Sequence, residues 1–286
     1  MNLRAAVYML ISSAAFAAMY LIAKRFQHYG GFELTFFRGL GTAVLAAGYL
    51  LVKGIPLRGN DPKWLALRGI TGGASLVLFF LAIANVPITA AVAIRYLAPL
   101  FAILFSMYFL RDRVQPVQWL FFALAFAGVV LLKGFDGRIG GVGLALILAS
   151  ALLAGVTFTI IRKLGTSEHP LVIVSYFTGT STVIGLLGIL SGGAEWVQPV
   201  GLDWAYLLSL GVVGFVGQIF MTVAMQTESA DAVMPLKYFE AVFLLVLSYF
   251  LLGEAYGPLA LAGMGLILAG NLANVLHKRR AQRASA

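Results

Sequence analysis

The sequence predicts an all-α integral membrane protein whose ten transmembrane helices form two inverted repeats of five helices. Three observations lead to this fold class. First, 61% of the residues are hydrophobic and only 11% are charged, whereas soluble domains have roughly 45–50% apolar and about 25% charged residues. Second, apolar runs separated by short polar breaks recur along the whole chain. Third, the second half of the chain repeats segments of the first half.

Each apolar run is long enough to cross the roughly 30 Å hydrocarbon core of a bilayer as a helix. The first run contains Ala15-Phe-Ala17, which resembles a signal-peptide cleavage site, but it continues to Ala23 without a polar break. We therefore interpret it as the first spanning helix. The spans are expected at residues 5–23, 32–52, 64–84, 89–110, 115–132, 141–161, 171–191, 204–225, 231–252 and 256–275. No segment shows the strict alternation that is typical of β-barrel strands.

The internal repeat is visible when the chain is shifted by 142 residues. The matched positions include Gly69/Gly211, Gly72/Gly214, Tyr96/Tyr238, Phe101/Phe243, Pro116/Pro258 and the conservative pairs Arg95/Lys237 and Asp112/Glu254. Residues 1–136 are expected to form the first five-helix unit, and residues 137–286 the second unit with a basic tail. Because five is odd, the second unit must enter the membrane from the opposite face, an arrangement common in secondary transporters.

The basic residues predict the orientation in the membrane. The net charge is +9, and most of the Lys and Arg residues lie in short loops and in the C-terminal tail. They concentrate on one side if both termini are cytoplasmic, as the positive-inside rule requires. The expected surroundings are therefore a lipid bilayer, with no nucleic acid partner. The chain has no cysteine, which excludes disulfides, thiolate nucleophiles and Cys-based metal sites.

Charged residues deep inside the spans are the strongest candidates for function. These are Arg38, Arg95, Lys237 and Glu240, while Arg68 lies nearer the cytoplasmic end of span three. A charge at the bilayer centre is costly and is expected to face protein, water or a ligand. Inversion of the repeat places Arg95 and Lys237 at mirrored depths on either side of the midplane.

Two interpretations of these charges stay open at this point. In the structural interpretation, Lys237 and Glu240 pair with each other at i and i+3, and Arg95 and Arg38 snorkel toward polar groups. In the functional interpretation, the cations line a water-filled cavity that binds a substrate with a carboxylate or phosphate group.

Uncharged residues complete the predicted cavity. Buried amides and hydroxyls inside a membrane need hydrogen-bond partners, and aromatic rings could contact a substrate side chain. The polar candidates are Gln218, Thr157 and Ser12, and the aromatic candidates are Tyr96, Tyr238 and Phe79. Pro99, Pro235, Gly72 and Gly214 are expected to kink the helices or to act in gating.

Several kinds of chemistry have no support in the sequence. There is no P-loop motif, and the three histidines lie in loops or at span ends and form no metal cluster. No catalytic cluster is found at one membrane depth. The sequence therefore predicts a transporter that is not an enzyme and has no cofactor or metal. A channel is the alternative of another class, and an internal inverted repeat argues against it.

The chain resembles the EamA family, a branch of the drug/metabolite transporter superfamily. The resemblance rests first on the two inverted five-helix units. It also rests on Phe36-Phe-Arg-Gly39 in span two and on the segment from Arg95-Tyr-Leu-Ala-Pro-Leu-Phe101 through Ala127-Gly-Val-Val-Leu-Leu132. Its counterpart in the second unit is Leu251-Leu-Gly-Glu254 with Leu268-Ala-Gly270. The first unit departs from the family pattern because Arg111-Asp112 replaces Gly-Glu.

The resemblance implies a secondary transporter in the bacterial inner membrane. It would export amino acids, aromatic or neutral ones above all, or related small metabolites by alternating access through a central cavity between the repeats. The YddG-like aromatic amino acid exporters are the subgroup that the chain is expected to be nearest. The runner-up is a proton-coupled multidrug or metabolite exporter, for which Glu240 is the only deep carboxylate. The expected assembly is a monomer or a weak homodimer.

Overall fold

The computed structural model describes residues 3–109, 116–164, 167–192, 196–227 and 236–284. In these ranges the regular structure is helical. The helices are α1 (Leu3–Arg25), α2 (Gly30–Val52), α3 (Pro62–Ile83), α4 (Ile88–Arg95), α5 (Ala98–Phe109), α6 (Pro116–Phe135), α7 (Gly141–Leu164), α8 (Pro170–Leu190), α9 (Asp203–Thr227), α10 (Phe239–Leu252) and α11 (Pro258–Ala284), with a short 3-10 turn at Gln27–Tyr29.

The membrane-spanning character of the fold is confirmed. Nine segments of the described chain are helical, long and apolar enough to cross a bilayer, with α4 and the first part of α5 counted together, and α10 is a shorter apolar helix. Large hydrophobic side chains such as those of Leu51, Val130 and Phe250 are exposed on the outside of the bundle. In water such a surface would be unfavourable, whereas lipid acyl chains cover it without cost.

The helix ends follow from local sequence signals. Proline opens α3, α6, α8 and α11, because the first turn of a helix has no use for its missing N–H. The Asp61 carboxylate accepts a hydrogen bond from the Trp64 N–H at 3.4 Å and caps α3. At the other end of α10, Gly253 adopts φ +67°, and its N–H donates to the carbonyl of Ser248, which closes the helix as glycine C-caps do.

The predicted fourth span is a broken helix. Instead of one helix over 89–110, the chain forms α4 and α5 with a turn at Tyr96 and Leu97 between them. Pro99 has no N–H to donate to the carbonyl of Arg95 four residues earlier, so the regular hydrogen-bond ladder cannot continue. The ninth span behaves similarly, since a turn at Tyr238 precedes α10. Pro235 and the other residues from 228 to 235 lie outside the described residues.

The packing of the helices repeats itself between the two halves. Under the repeat, α1, α2, α3, α5 and α6 correspond to α7, α8, α9, α10 and α11. The contacts α2–α8 and α6–α11 each join a helix to its own counterpart. The other main contacts come in matched pairs: α1–α9 with α3–α7, α3–α8 with α2–α9, and α5–α7 with α1–α10. The two repeated bundles therefore pack against each other through helix pairs that the repeat relates.

Glycines allow the closest helix crossings. A Cβ atom on Gly211 of α9 would lie 2.5 Å from the Cα atom of Gly41 on α2. Likewise, a Cβ on Gly128 of α6 would lie 2.6 Å from the carbonyl oxygen of Gly263 on α11. In a bilayer, where lipid is as apolar as the helices, such close packing is a main source of helix association.

Candidate functional site

A cavity of about 140 Å³ lies between the two bundles. For comparison, an engineered protein cavity of about 150 Å³ holds a benzene molecule. Both repeats line it, and its charged lining residues are Arg38, Arg68, Arg95, Lys237 and Glu240. Its aromatic lining residues are Phe16, Tyr20, Tyr96, Phe158, Phe177 and Tyr238.

The cavity reaches from the middle of the bundle toward the face on which α1 and α3 begin, here called the N-terminal face. Arg68 lies in the first third of α3, and Ile161 and Met221 lie near the ends of α7 and α9 at the same face. The face where α4 begins is called the opposite face.

Lys237 and Glu240 form an ion pair beside the cavity. The Lys237 ammonium donates to Oε2 of Glu240, and their side chains are 12% and 4% exposed. The ammonium also lies 4.2 Å from the centre of the Phe16 ring, a cation–π distance. The ion pair expected in the structural interpretation therefore forms, and both residues also line the cavity. Glu240 compensates the charge of Lys237.

Arg95 is held by aromatic residues rather than by an acid. Its Nη1 donates to the Tyr20 hydroxyl at 2.9 Å, and its guanidinium carbon lies 4.7 Å from the centre of the Phe79 ring. Arg95 is the last residue of α4, where the carbonyl end of the helix favours a cation. Among the described residues, no carboxylate forms an ion pair with it.

Arg38 and Arg68 approach the same aromatic ring. Their guanidinium carbons lie 4.7 and 4.5 Å from the centre of the Phe177 ring. The two residues are only 2% and 4% exposed. Nε and Nη1 of each arginine are buried and have no hydrogen-bond partner in the described part of the chain. Unsatisfied buried donors are rare in native proteins and call for a physical explanation.

Two tyrosines related by the repeat meet at the helix breaks. The rings of Tyr96 and Tyr238 lie 5.0 Å apart in an edge-to-face arrangement. The Tyr96 hydroxyl donates to the backbone carbonyl of Lys237 at 2.9 Å. Lys237 is the residue just before the turn at Tyr238. The Tyr238 hydroxyl is buried and has no partner in the described residues.

The cavity consequently carries an excess of positive charge. Arg38, Arg68 and Arg95 have no ion-pair partner among the described residues, while Lys237 is compensated. Uncompensated guanidinium groups at such depth are costly, and an anion with several acceptor oxygens would satisfy them. The chemistry of the lining therefore suits a ligand that bears carboxylate or phosphate groups.

Most of the predicted site residues lie at this cavity. Those that line it are Arg38, Gly72, Arg95, Tyr96, Pro99, Thr157, Gln218, Lys237, Tyr238 and Glu240. Phe79 lies beneath Arg95 instead, and Gly214 lies beside Arg38, where an added Cβ would be 3.4 Å from its Nε. The Ser12 hydroxyl donates to the Gly217 carbonyl at 2.8 Å and joins α1 to α9. Pro235 is outside the described residues, and the functional roles of all these residues stay predictions.

Arg68 lines the cavity but is not among the site residues that the sequence predicts. It lies nearer one end of predicted span three, where a long side chain can snorkel to the surface. The signal that could have found it is the face it shares with Gly72 and Ser75 at i, i+4 and i+7, a small and polar stripe that continues into the cavity.

The opposite face is closed by polar contacts among the helix ends. The Lys24 ammonium donates to the carbonyl of Ile83, the last residue of α3, and to the carbonyl of Val86 in the loop that follows. The Glu254 carboxylate accepts the N–H of Ile88, the first residue of α4, at 3.0 Å. The Tyr256 hydroxyl donates to the same carboxylate at 2.8 Å. The pKa of Tyr256 is raised, mainly because the side chain is buried and to a smaller extent because the Glu254 carboxylate is near. Within the described residues, no cluster of three or more His, Cys, Asp or Glu side chains could hold a metal ion.

Comparison with known protein families agrees with this architecture. The model of the EamA-like transporter family matches residues 3–133 and 141–276, one segment in each half of the chain. One solved crystal structure superposes with a TM-score of 0.69 over 98% of this chain and 99% of its own, at 21% identity. That similarity concerns the fold alone.

Curated relatives are transporters of different small molecules. The pseudopaline exporter CntI of Pseudomonas aeruginosa is 32% identical over 246 residues, which is 84% of each chain. A riboflavin transporter of Rhizobium johnstonii is 29% identical over 88% of this chain and 79% of its own. An S-adenosylmethionine uptake transporter of Rickettsia felis is 24% identical over 87% and 84%. Among these relatives both the substrate and the direction of transport differ.

Proposed function

This chain belongs to the EamA-like transporter family, and from that premise we propose that it is a secondary transporter for small metabolites that carry a carboxylate or a similar anionic group. The observation that carries the proposal is the cavity between the repeats, where three guanidinium groups have no ion-pair partner among the described residues. A substrate anion would supply the missing acceptors, and the mixed aromatic lining would contact its apolar part.

The mechanism that fits this arrangement is alternating access. In the structure the cavity reaches toward the N-terminal face, and helix ends pack together at the opposite face. If the basic loops are cytoplasmic, as the positive-inside rule predicts, the structure corresponds to a cytoplasm-facing state. Substrate would then enter from the cytoplasm, and rocking of the two bundles would release it outside. The predicted setting is the bacterial inner membrane with both termini cytoplasmic.

Amino acid export is the most specific form of this proposal. Arg95 would bind the α-carboxylate, and Phe16, Tyr20 and Phe158 would contact an aromatic or apolar side chain. This form draws on the family resemblance and on the aromatic lining. The relatives named above transport other metabolites. Transport of simple carboxylates therefore has to be measured together with transport of amino acids.

The test is uptake into proteoliposomes by the purified protein, using labelled amino acids and small carboxylates. We expect saturable uptake of at least one carboxylate-bearing solute in the wild type and its loss in Arg95→Ala. Arg58→Ala removes an exposed arginine and serves as the matched control, with uptake unchanged. Flux that rises linearly with concentration would indicate a channel. Uptake that is normal in Arg95→Ala would exclude Arg95 from the substrate site.

Proton coupling is a second candidate, and the Lys237–Glu240 pair in the cavity wall favours it. Protonation of Glu240 would release the Lys237 ammonium for a substrate anion and would so link proton movement to binding. Transport by Glu240→Gln at several pH values tests this. Loss of the pH dependence supports coupling, and a pH profile identical to that of the wild type excludes Glu240 as the coupling group.

A further inference from the structure

We propose that Arg38 and Arg68, which both contact the Phe177 ring, form a second anion-binding subsite in the cavity, so that the transported metabolite carries two anionic groups. This inference rests on the proposed transport function and deepens it, since the carboxylate at Arg95 accounts for only one group. The subsite was not apparent from the repeat, because neither arginine has a basic counterpart in the second unit. Arg38 corresponds to Thr178, and Arg68 corresponds to Leu210.

The first support is the set of free donors. Nε and Nη1 of both arginines are buried without hydrogen-bond partners in the described residues. Guanidinium N–H groups are strong donors to the oxygens of carboxylates and phosphates. Four such donors, two from each arginine, lack an acceptor within the described part of the chain, and an anion with several oxygens would supply one. Structural arginines of membrane proteins normally bond to carbonyls or acids instead.

The second support is the way in which the two charges are held together. Both guanidinium carbons lie within cation–π distance of the Phe177 ring, so their separation cannot exceed the sum of the two distances to its centre. Like charges at this separation repel each other. The ring offsets a part of that repulsion, and a bound anion would offset much more.

The third support comes from one of two glycines that the repeat relates. A Cβ on Gly72 would overlap Nη1 of Arg68 and would lie 2.9 Å from Cδ2 of Phe177. A Cβ on Gly214 would lie 3.4 Å from Nε of Arg38 and 3.2 Å from the sulfur of Met19. Gly72 leaves the space in which the Arg68 head group lies, whereas an added Cβ on Gly214 would meet Arg38 only at an ordinary contact distance. In addition to its expected gating role, Gly72 therefore has a more direct one, which is to seat Arg68.

The two subsites together define the class of substrate. Arg95 is near enough to Arg38 for their charges to interact, yet it has its own partners in Tyr20 and Phe79. A cavity of about 140 Å³ has room for a short dicarboxylate or a comparable dianion, by comparison with benzene in a cavity of about 150 Å³. One anionic group would bind at Arg95 and the other between Arg38 and Arg68.

The experiment compares solutes that carry two anionic groups, called dianions here whatever their net charge, with solutes of matched chain length that carry one. The probes are succinate against butyrate, and glutamate against glutamine. Their binding to the purified full-length protein is measured by the ligand-induced rise in melting temperature and by counterflow in proteoliposomes. We expect that at least one dianion binds more tightly than its matched partner. In Arg68→Gln and Arg38→Gln its apparent affinity should fall about tenfold to a hundredfold, since hydrogen bonds to charged groups contribute about 1.5–3 kcal/mol.

Two further variants keep the test sharp. Gly72→Ala leaves every charge in place but displaces the Arg68 head group, so it should weaken dianion binding in the same selective way. Arg58→Gln, at an exposed position, should change nothing. If no dianion binds better than its partner, or if Arg68→Gln and Gly72→Ala weaken both members of a pair equally, the second subsite is wrong. Arg95-dependent transport of a monocarboxylate in that case would leave the proposed function intact, whereas absence of all transport would overturn the proposed function itself.

Discussion

At the scale of single residues, the unpaired arginines predict an unusual effect on stability. Arg68→Met should raise the melting temperature of the substrate-free protein, because it removes buried donors without partners that cost about 1–3 kcal/mol when left unsatisfied. The same variant should lose the stabilisation by a dianion. Thermal unfolding in detergent with and without succinate checks both effects, and Arg58→Met is the control. A lower melting temperature of substrate-free Arg68→Met would mean that the arginine is a structural residue.

The two repeat-related tyrosines predict opposite outcomes for the same substitution. Tyr96→Phe removes the hydroxyl that donates to the Lys237 carbonyl, so the free energy of unfolding should fall by about 0.5–1.5 kcal/mol. Tyr238→Phe removes a hydroxyl without a partner and should leave stability unchanged or slightly raised. Each variant is the control for the other in thermal unfolding. Equal losses of stability would contradict the difference in hydrogen bonding.

At the scale of elements, Glu254 stabilises the start of α4 from another part of the chain. Because its carboxylate accepts the Ile88 N–H at a helix N-terminus, Glu254→Ala should lower the free energy of unfolding by about 0.5–2 kcal/mol. It should also loosen the closed face. An Ala91→Cys reporter, fully buried in α4, should then react faster with a water-soluble thiol reagent.

A carboxylate at the N-terminal face provides the matched control for this prediction. Glu168 accepts the N–H groups of Asn60 and Asp61 at 2.8 and 2.6 Å. Glu168→Ala should destabilise the protein by a similar amount, yet the reactivity of the Ala91→Cys reporter should stay the same. An equal increase in both backgrounds would show that general loosening, rather than the cap on α4, controls this face.

The broken fourth helix shows what an element-level signal can and cannot provide. Pro99 is visible in the sequence, and a missing N–H inside an apolar run predicts an interruption. The sequence does not reveal that the turn at Tyr96 and Leu97 lies against the Lys237 carbonyl of the other repeat. That contact joins residues 141 positions apart, and only the packing of the two bundles brings them together.

At the scale of the whole molecule, alternating access predicts different accessibility at two depths. The chain has no cysteine, so a single introduced thiol is the only one. Ala154→Cys, in the cavity wall, should react with a water-soluble reagent in the substrate-free protein, while Ala91→Cys should be protected. A transported solute should decrease the first rate and increase the second. Simultaneous high reactivity at both positions would indicate a continuous pore and therefore a channel.

The two halves of the chain have the same helix packing but different charged residues. Helix contacts come in pairs that the repeat relates, whereas three of the four cavity cations belong to the first unit and the carboxylate Glu240 belongs to the second. A symmetric frame suits a transporter that must offer one site to either side of the membrane in turn. The asymmetric charges determine what that site binds.

The amino-acid sequence alone is enough to predict the membrane-protein class, which the structure confirms, and to predict the spans, the repeat and most of the charged candidates. These predictions rest on composition and local hydropathy. They are possible because the free energy of transferring an apolar helix into lipid is approximately a sum of contributions from its own residues. The tertiary structure decided which charges are compensated: it pairs Lys237 with Glu240 and brings Arg38 and Arg68 to one aromatic ring. The physical reason is that the energy of a buried charge depends on partners from helices far apart in the chain, and no local pattern specifies those partners.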